Sequence, residues 1–391
     1  MNKIRAGVMY DFVKLIIFLV VAIISASSLC KRNSDNYLEP TNVSNNSGRS
    51  ENPSIAVDSR GAVHLVWNDE TPGNEEIFYA TKSVNGIWTT PVQVTSNIGA
   101  SRSPCIVIDR NDKIHLVWQQ RVTQGSSGYW VIFYTWRSSS GDTWAIPETV
   151  TVSGSSLCPT LAVDNDLGLH LLWMEGFSPY QCLFYYAYKP YGDTWFIHYL
   201  FTTEICGYEM KTDQNKGVHI VLDPHSETYY IEKKSNGTWT DTMRLSYTPM
   251  DWLGSNFPSL AVDNLGISHV IWAEGDTSLR GFVYIKSSPQ DSWSAPISPY
   301  KNHFNWQLAE AKICIGRNGK IYITWLDARA GIGYGVKDGD VWKEPRRIVK
   351  NGAGQRPTMA ISGQNDIHFA WQKLDTLSID NEEIYYIEFN P

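Results

Sequence analysis

Pro53-Ser54-Ile55-Ala56-Val57-Asp58 opens a pattern that closes on Trp67, fourteen residues after its proline, and the pattern returns along the chain. It recurs as Pro104-Cys105-Ile106-Val107-Ile108-Asp109 with Trp118, as Pro159-Thr160-Leu161-Ala162-Val163-Asp164 with Trp173, and as Pro258-Ser259-Leu260-Ala261-Val262-Asp263 with Trp272. Pro357 and Trp371 keep the same spacing. Two copies are degenerate. In the fourth, Tyr208 and Leu222 take the proline and tryptophan places; in the sixth, Ala311 stands for the proline before Trp325. The copies start at 53, 104, 159, 208, 258, 311 and 357, a period of 46 to 55 residues. Such a period marks a repeat architecture in which each unit packs only on its neighbours.

Each copy reads as four short strands. The Pro-to-Asp run is the first, and a turn such as Ser59-Arg60-Gly61 or Arg317-Asn318-Gly319 supplies hairpin chemistry. The run ending in tryptophan, such as Val63-His64-Leu65-Val66-Trp67, is the second. An aromatic run such as Ile77-Phe78-Tyr79 or Phe184-Tyr185-Tyr186 is the third. The fourth opens with tryptophan and often has proline three later, as at Trp88/Pro91, Trp144/Pro147, Trp293/Pro296 and Trp342/Pro345. Strands of β-branched and aromatic residues at this period predict an all-β, seven-bladed β-propeller of four-stranded blades. The seventh copy ends at Pro391 after its third strand. Tyr37-Leu38-Glu39-Pro40-Thr41-Asn42-Val43-Ser44 matches Trp88-Thr89-Thr90-Pro91-Val92-Gln93-Val94-Thr95, and in both cases the next blade's first proline place follows the proline by thirteen residues. Residues 37–44 are therefore expected to complete blade seven and remove the ring's open edges.

A chain of 391 residues with 13% aromatics, including 16 Trp and 21 Tyr, can bury a large core. The net charge of −7 argues against a general nucleic-acid binder. Lys3, Arg5 and Lys14 flank an uncharged run from Leu15 to Leu29, too short for a spanning helix and the right length for the apolar region of a signal peptide. Ala26-Ser27-Ser28 offers a cleavage site, and Cys30 directly after it resembles a bacterial lipoprotein signal. The expected organisation is a signal or anchor over 1–30, a linker over 31–36 and the propeller over 37–391. The protein is expected to be exported, at the cell surface, in the periplasm or outside the cell. Cleavage, lipidation of Cys30 and an uncleaved anchor all remain open. With Cys30 set aside, Cys105, Cys158, Cys182, Cys206 and Cys314 are an odd set without zinc spacing, so neither a disulfide framework nor a metal site is expected.

Eleven residues after the blade starts stand His64, His115, His170, His219, His269 and His368, with Tyr322 in the sixth. Six histidines on six blades cannot converge on one ion, so they read as structural. Asp58, Asp109, Asp164, Asp213 and Asp263 are placed to bond the N–H groups of their own turns and to fix the histidine beside them. The repeated tryptophans read as interblade packing.

The hairpins before the fourth strands resemble the Asp-box repeat of sialidase-like propellers: Ser138-Ser139-Ser140-Gly141-Asp142-Thr143-Trp144, Tyr191-Gly192-Asp193-Thr194-Trp195 and Asp338-Gly339-Asp340-Val341-Trp342. The motif's own aspartate is Ser139, Pro190 or Lys337 here. Trp325-Leu326-Asp327-Ala328-Arg329-Ala330-Gly331 is another echo, and the resemblance of blade type covers nearly all of 37–391. It would imply three arginines clamping a substrate carboxylate, a tyrosine nucleophile assisted by glutamate, and an aspartic acid. Arg102 stands two residues before Pro104, like the arginine of the family's Arg-Ile-Pro motif; Tyr208-Glu209 and Arg356 would fill other roles.

A ring of repeats places function where its symmetry breaks. The loops entering first strands and those joining second to third strands carry Arg49, Arg102, Trp252, His303, Phe304, Trp306 and Arg356. The longest of the latter, in blade two, lies by Arg121, Tyr129 and Trp130. A carboxylate follows the repeated tryptophan by two residues at Asp69, Glu175, Glu274 and Asp327; Asp223 is one residue off that place. Aromatic faces suit sugar stacking, and arginines suit anionic groups, so Arg49, Arg102, Arg121, Trp130, Trp252, His303, Trp306, Asp327, Arg329 and Arg356 are ligand-binding candidates. In the plainer reading the acids solvate a rim and the aromatics pack loops. The expectation is an exported propeller that binds a glycan or a surface protein without catalysis or cofactor. The alternative is a sialidase-like glycosidase or another polysaccharide-cleaving enzyme using Arg102, Tyr208, Glu209 and Arg356.

Overall fold

The computed structural model describes residues 37–391 except 125–126, 140, 142, 152–153, 179–180, 205–206, 248–254, 276–279, 290–291, 301–307, 328–330, 351–353 and 375–380. Glu39–Pro391 form one compact unit made of seven antiparallel sheets, a seven-bladed propeller. The first strands are Ser50–Val57, Ser101–Ile108, Ser156–Val163, Tyr208–Thr212, Ser255–Val262, Leu308–Ile315 and Gln355–Ile361. They lie side by side in cyclic order, the last against the first. In the fifth blade a three-stranded ladder is extended by isolated bridges at Tyr284–Ile297 and Ser287–Trp293. In the sixth, both Val341–Trp342 and Arg346–Lys350 pair with Gly331–Asp338.

The blade-seven ladder takes its fourth strand from Thr41–Asn42, which pairs with Tyr386 and Tyr385. The register is the one the sequence match predicts. Val43 N–H donates to the Ile384 carbonyl at 2.8 Å as Val94 N–H donates to that of Ile77 at 2.7 Å. Ser44 Oγ accepts the Ile384 N–H as Thr95 Oγ1 accepts that of Ile77. The pairing is shorter than the 37–44 expected, covering two ladder residues, like Val92–Gln93 in blade one.

Prolines mark bulges. The first-strand register shifts between Glu51 and Ser54, Arg102 and Cys105, Leu157 and Thr160, Asn256 and Ser259, and Gln355 and Thr358. Proline cannot donate to a ladder, so a bulge accommodates it. The residue before it is left-handed in all five: Asn52, Ser103, Cys158, Phe257 and Arg356 have φ of 51° to 56°. Where Tyr208 replaces proline the ladder runs without a shift, whereas the blade with Ala311 in that place keeps one, between Leu308 and Ala311.

Second strands such as Val63–Asp69 are buried along their whole length, because a neighbouring blade covers each face. Trp67, Trp118, Trp173, Trp272, Trp325 and Trp371 are at most 1% exposed. Trp67, Trp118, Trp173 and Trp371 stack on the third-strand rings of Phe78, Phe133, Tyr185 and Tyr385. In blade six Gly333 takes that ring's place, since a Cβ there would collide with the Trp325 indole. The fourth-strand tryptophans pack edge-on against the preceding blade's tyrosine: Trp144 on Tyr79, Trp195 on Tyr134, Trp239 on Tyr186, Trp293 on Tyr230, Trp342 on Tyr284, and Trp88 on Tyr386 across the junction of blades seven and one.

Candidate site at the channel and its mouth

On the side of the first turns the repeated polar residues are structural. Asp58 Oδ1 accepts the N–H groups of Arg60 and Ala62, and Asp109, Asp164, Asp213 and Asp263 do the same in their turns. In blade seven Ser362 Oγ takes over that role. Nδ1 of each repeated histidine bonds a third-strand tyrosine hydroxyl, for example His64 with Tyr79 at 2.6 Å and His368 with Tyr386 at 2.7 Å. Burial pushes His64 and His368 down to about 4, although Asp58 opposes the shift at His64, and Glu388 and Asp366 oppose it at His368. Among the described residues no group of three His, Cys, Asp or Glu is placed to hold a metal ion.

On the opposite side, where first strands begin, the rim acids are mostly engaged. The indole N–H of Trp67 donates to Asp69 at 2.9 Å, that of Trp173 to Glu175 at 3.1 Å and that of Trp272 to Glu274 at 2.8 Å. Asp69 is fully buried and also holds Ser50 and Thr71. These three acids thus brace the indoles of the repeat instead of solvating a rim. Asp223 accepts N–H bonds from Gly207 at 2.6 Å and Phe257 at 2.8 Å; burial raises its carboxyl to about 6 against the pull of those donors.

The arginines of this mouth mostly carry acidic partners that the sequence reading did not single out. Arg102 pairs with Glu75, whose carboxyl burial raises and the guanidinium draws back down. Arg49 reaches Glu51 at 2.6 Å and Glu382 at 3.2 Å. Burial and a hydrogen bond to Glu382 push Glu51 up, with Arg49 and Arg356 pulling the other way. Gln355 and Gln372 each donate an amide N–H to Glu382. Arg356 N–H bonds Glu310 at 3.3 Å, and its exposed side chain adds positive potential at Glu51, Glu310 and Cys158. Glu75 and Glu382 share one repeat place, in Asn74-Glu75-Glu76-Ile77 and Asn381-Glu382-Glu383-Ile384, whereas Glu51 and Glu310 stand at places where no other blade has an acid.

Tyr208 and Glu209 do not form a pair. Successive strand residues face opposite sides. The Tyr208 hydroxyl donates to the Cys158 carbonyl, and its ring meets Phe184 edge-on. Glu209 lies in an axial cavity of about 430 Å³ lined by first strands of all seven blades. It bonds Lys211 at 2.8 Å, Lys312 at 3.4 Å and the Ser259 hydroxyl at 2.9 Å. Burial alone would raise this carboxyl; the two ammonium groups overcome it and hold it down to about 2. Cys105 and Cys314 also face the channel as free thiols, and Cys158, in the strand Ser156–Val163, is exposed.

Blade two breaks the symmetry. Its second and third strands, Lys113–Gln124 and Ser127–Ser138, run twelve residues each, against seven in blade one. The extension pairs Arg121 with Trp130 and Val122 with Tyr129. The Arg102 guanidinium lies 5.4 Å from the Trp130 ring centre. Arg121 is exposed there, and no acidic side chain among the described residues pairs with it. Arg102, Arg121 and Trp130 thus come together as a ledge, and Arg49 and Arg356 stand over the junctions of blade seven. Trp252, His303, Phe304, Trp306 and Arg329 lie outside the described residues, as do Cys30 and the apolar run before it. Asp327 ends a strand by pairing with Gly331, and its side chain is likewise outside them.

No protein-family model matches the sequence, and no curated protein sequence matches it. Solved structures do share the fold. The polysaccharide lyase Uly1 superposes with a TM-score of 0.60 at 11% identity, over 92% of this chain and 93% of its own. An ulvan lyase of polysaccharide lyase family 25, bound to -[GlcA(1-4)Rha3S]-, gives 0.57 at 11% identity over 89% of this chain and 96% of its own. The NanB sialidase of Streptococcus pneumoniae gives 0.50 at 12% identity over 91% of this chain and 70% of its own. At these identities the likeness is one of fold: the chain shares the propeller architecture of these proteins.

Proposed function

We propose that the protein is an exported propeller that binds an acidic glycan at the channel mouth and does not cleave it. The observation that carries this reading is the ledge of blade two, where Arg102 lies over Trp130 and Arg121 stands exposed beside it. An indole face offers a sugar ring a flat apolar contact, and the guanidinium groups meet a uronate, sialate or sulfate substituent. The named neighbours act on or hold acidic polysaccharide or sialic acid, which agrees with this choice.

The occupation of the alternative catalytic set supports the reading without catalysis. A tyrosine nucleophile needs an adjacent base, yet the Tyr208 hydroxyl is spent on a backbone carbonyl. Glu209 faces the other way and, held near 2, is a poor proton acceptor at neutral pH.

Calorimetry against uronate-containing, sialylated and neutral oligosaccharides, with product analysis on the same mixtures, tests the proposal. Saturable binding of an acidic oligosaccharide, weakened about tenfold or more by Trp130→Ala, is expected, with the oligosaccharide recovered intact. Release of product that is lost in Tyr208→Phe would contradict it.

A further inference from the structure

Blades four and six lack the first-strand proline, and they are also the two that put charge on the axis. At the place one residue after the blade start, the other five contribute Ser54, Cys105, Thr160, Ser259 and Thr358, while blades four and six contribute Glu209 and Lys312. Two residues farther on, the other five carry only alanine or valine, while blade four carries Lys211. Five walls of small neutral side chains thus face one carboxylate and two ammonium groups from the other two blades.

The charges do not cancel. Glu209 takes one contact from each lysine, leaving a surplus of one positive charge. Each ammonium carries three donors, and the carboxylate uses one of them. The Lys211 side chain is 46% exposed and that of Lys312 29%, although both stand inside the ring, so their remaining donors face the open 430 Å³ of the channel. An isolated positive charge in a walled channel draws in an anion, and the same surplus disfavours a cation.

We propose that the axial channel is a binding site for a small oxyanion such as sulfate or phosphate, held between the ammonium groups of Lys211 and Lys312 with Glu209 as their spacer. This site is separate from the glycan ledge and does not depend on it. Glu209 sets its strength by competing for the same donors.

The test is calorimetry of the full-length protein with inorganic sulfate and phosphate against chloride at matched ionic strength, together with an anomalous map from crystals grown in selenate. Saturable binding of one oxyanion per chain is expected. Lys312→Gln and Lys211→Gln each weaken it about tenfold or more, Glu209→Gln tightens it, and Trp130→Ala leaves it unchanged. The selenate peak lies on the axis. If either lysine variant fails to fold, the wild-type selenate map decides alone. No saturable heat, binding unchanged in folded lysine variants, or selenate found only on the outer surface would each overturn the proposal.

Discussion

Gln372 Oε1 accepts the backbone N–H of Asn52 at 2.9 Å, across 320 residues of chain. It is one of a set. The residue after the repeated tryptophan place accepts the N–H of the left-handed residue opening the next blade, as Asn68 does from Ser103 at 3.4 Å, Gln119 from Cys158 at 2.6 Å and Asp223 from Phe257 at 2.8 Å. Met174, Ala273 and Leu326 cannot serve in the other blades; at the sixth junction Glu310 receives the Arg356 N–H instead. These bonds lock successive first strands, and the Gln372 bond locks the last blade to the first. Gln372 is fully buried and also holds Glu382. Gln372→Leu is expected to lower the unfolding free energy by about 2 kcal/mol, because a buried N–H and a carboxylate lose their partner. Urea denaturation measures it; an unchanged midpoint would show that the junction does not depend on the lock.

The N-terminal pairing gives a second prediction. Without residues 37–47 the strand Glu382–Phe389 loses the partner formed by Thr41–Asn42, and Ser44 no longer accepts the Ile384 N–H. An unpaired edge invites association with another chain. The truncated protein is expected to melt lower and to self-associate in analytical ultracentrifugation, whereas a monomer with the full-length melting temperature would count against the pairing.

Acid should weaken the ring through its histidines. Burial holds His64 at about 4, below the ordinary 6.5, so the unfolded chain binds more protons between those values. The contribution is complete above pH 6.5 and is lost as pH falls toward 4. For this buried residue it amounts to about 3 kcal/mol. His64→Gln is expected to flatten the stability profile across that window, measured by urea denaturation at stepped pH.

Asp223 works in the opposite sense. Its folded value of about 6 lies above the unfolded value of 3.8, so the native state binds more protons in between. Its contribution therefore favours folding more as pH falls from 6 toward 4, by up to about 3 kcal/mol. Asp223→Asn, which places a neutral amide as at Asn68, should remove this component and make the acid loss of stability steeper than in wild type. A profile unchanged between pH 4 and 6 would contradict the raised value.

The sequence carried the fold because period, proline, tryptophan and histidine each recur in register, and each recurrence has one structural cause: bulge, interblade core, and tyrosine-bonded hairpin. Even the register of Thr41–Asn42 was readable from its match to Val92–Gln93. The site was legible only in part. The blade-two extension was visible as a long connection holding Arg121, Tyr129 and Trp130. Of the acids that engage the arginines, Glu75 and Glu382 share a third-strand place in only two blades, and Glu51 and Glu310 stand where no other blade has an acid. Asp69, Glu175 and Glu274 looked available on a rim because sequence spacing does not reveal that an indole N–H two residues back turns toward them. Tyr208 and Glu209 read as a catalytic pair by adjacency, yet adjacency in a strand sends them to opposite faces.

The most direct test of the glycan-binding account is the affinity of the full-length protein for an acidic oligosaccharide, measured with and without the Trp130→Ala substitution while the oligosaccharide's length is followed. The account predicts saturable binding that falls about tenfold or more in the variant, with the oligosaccharide intact throughout. Equal affinity in both proteins, or steady shortening of the chain by wild type, would contradict it.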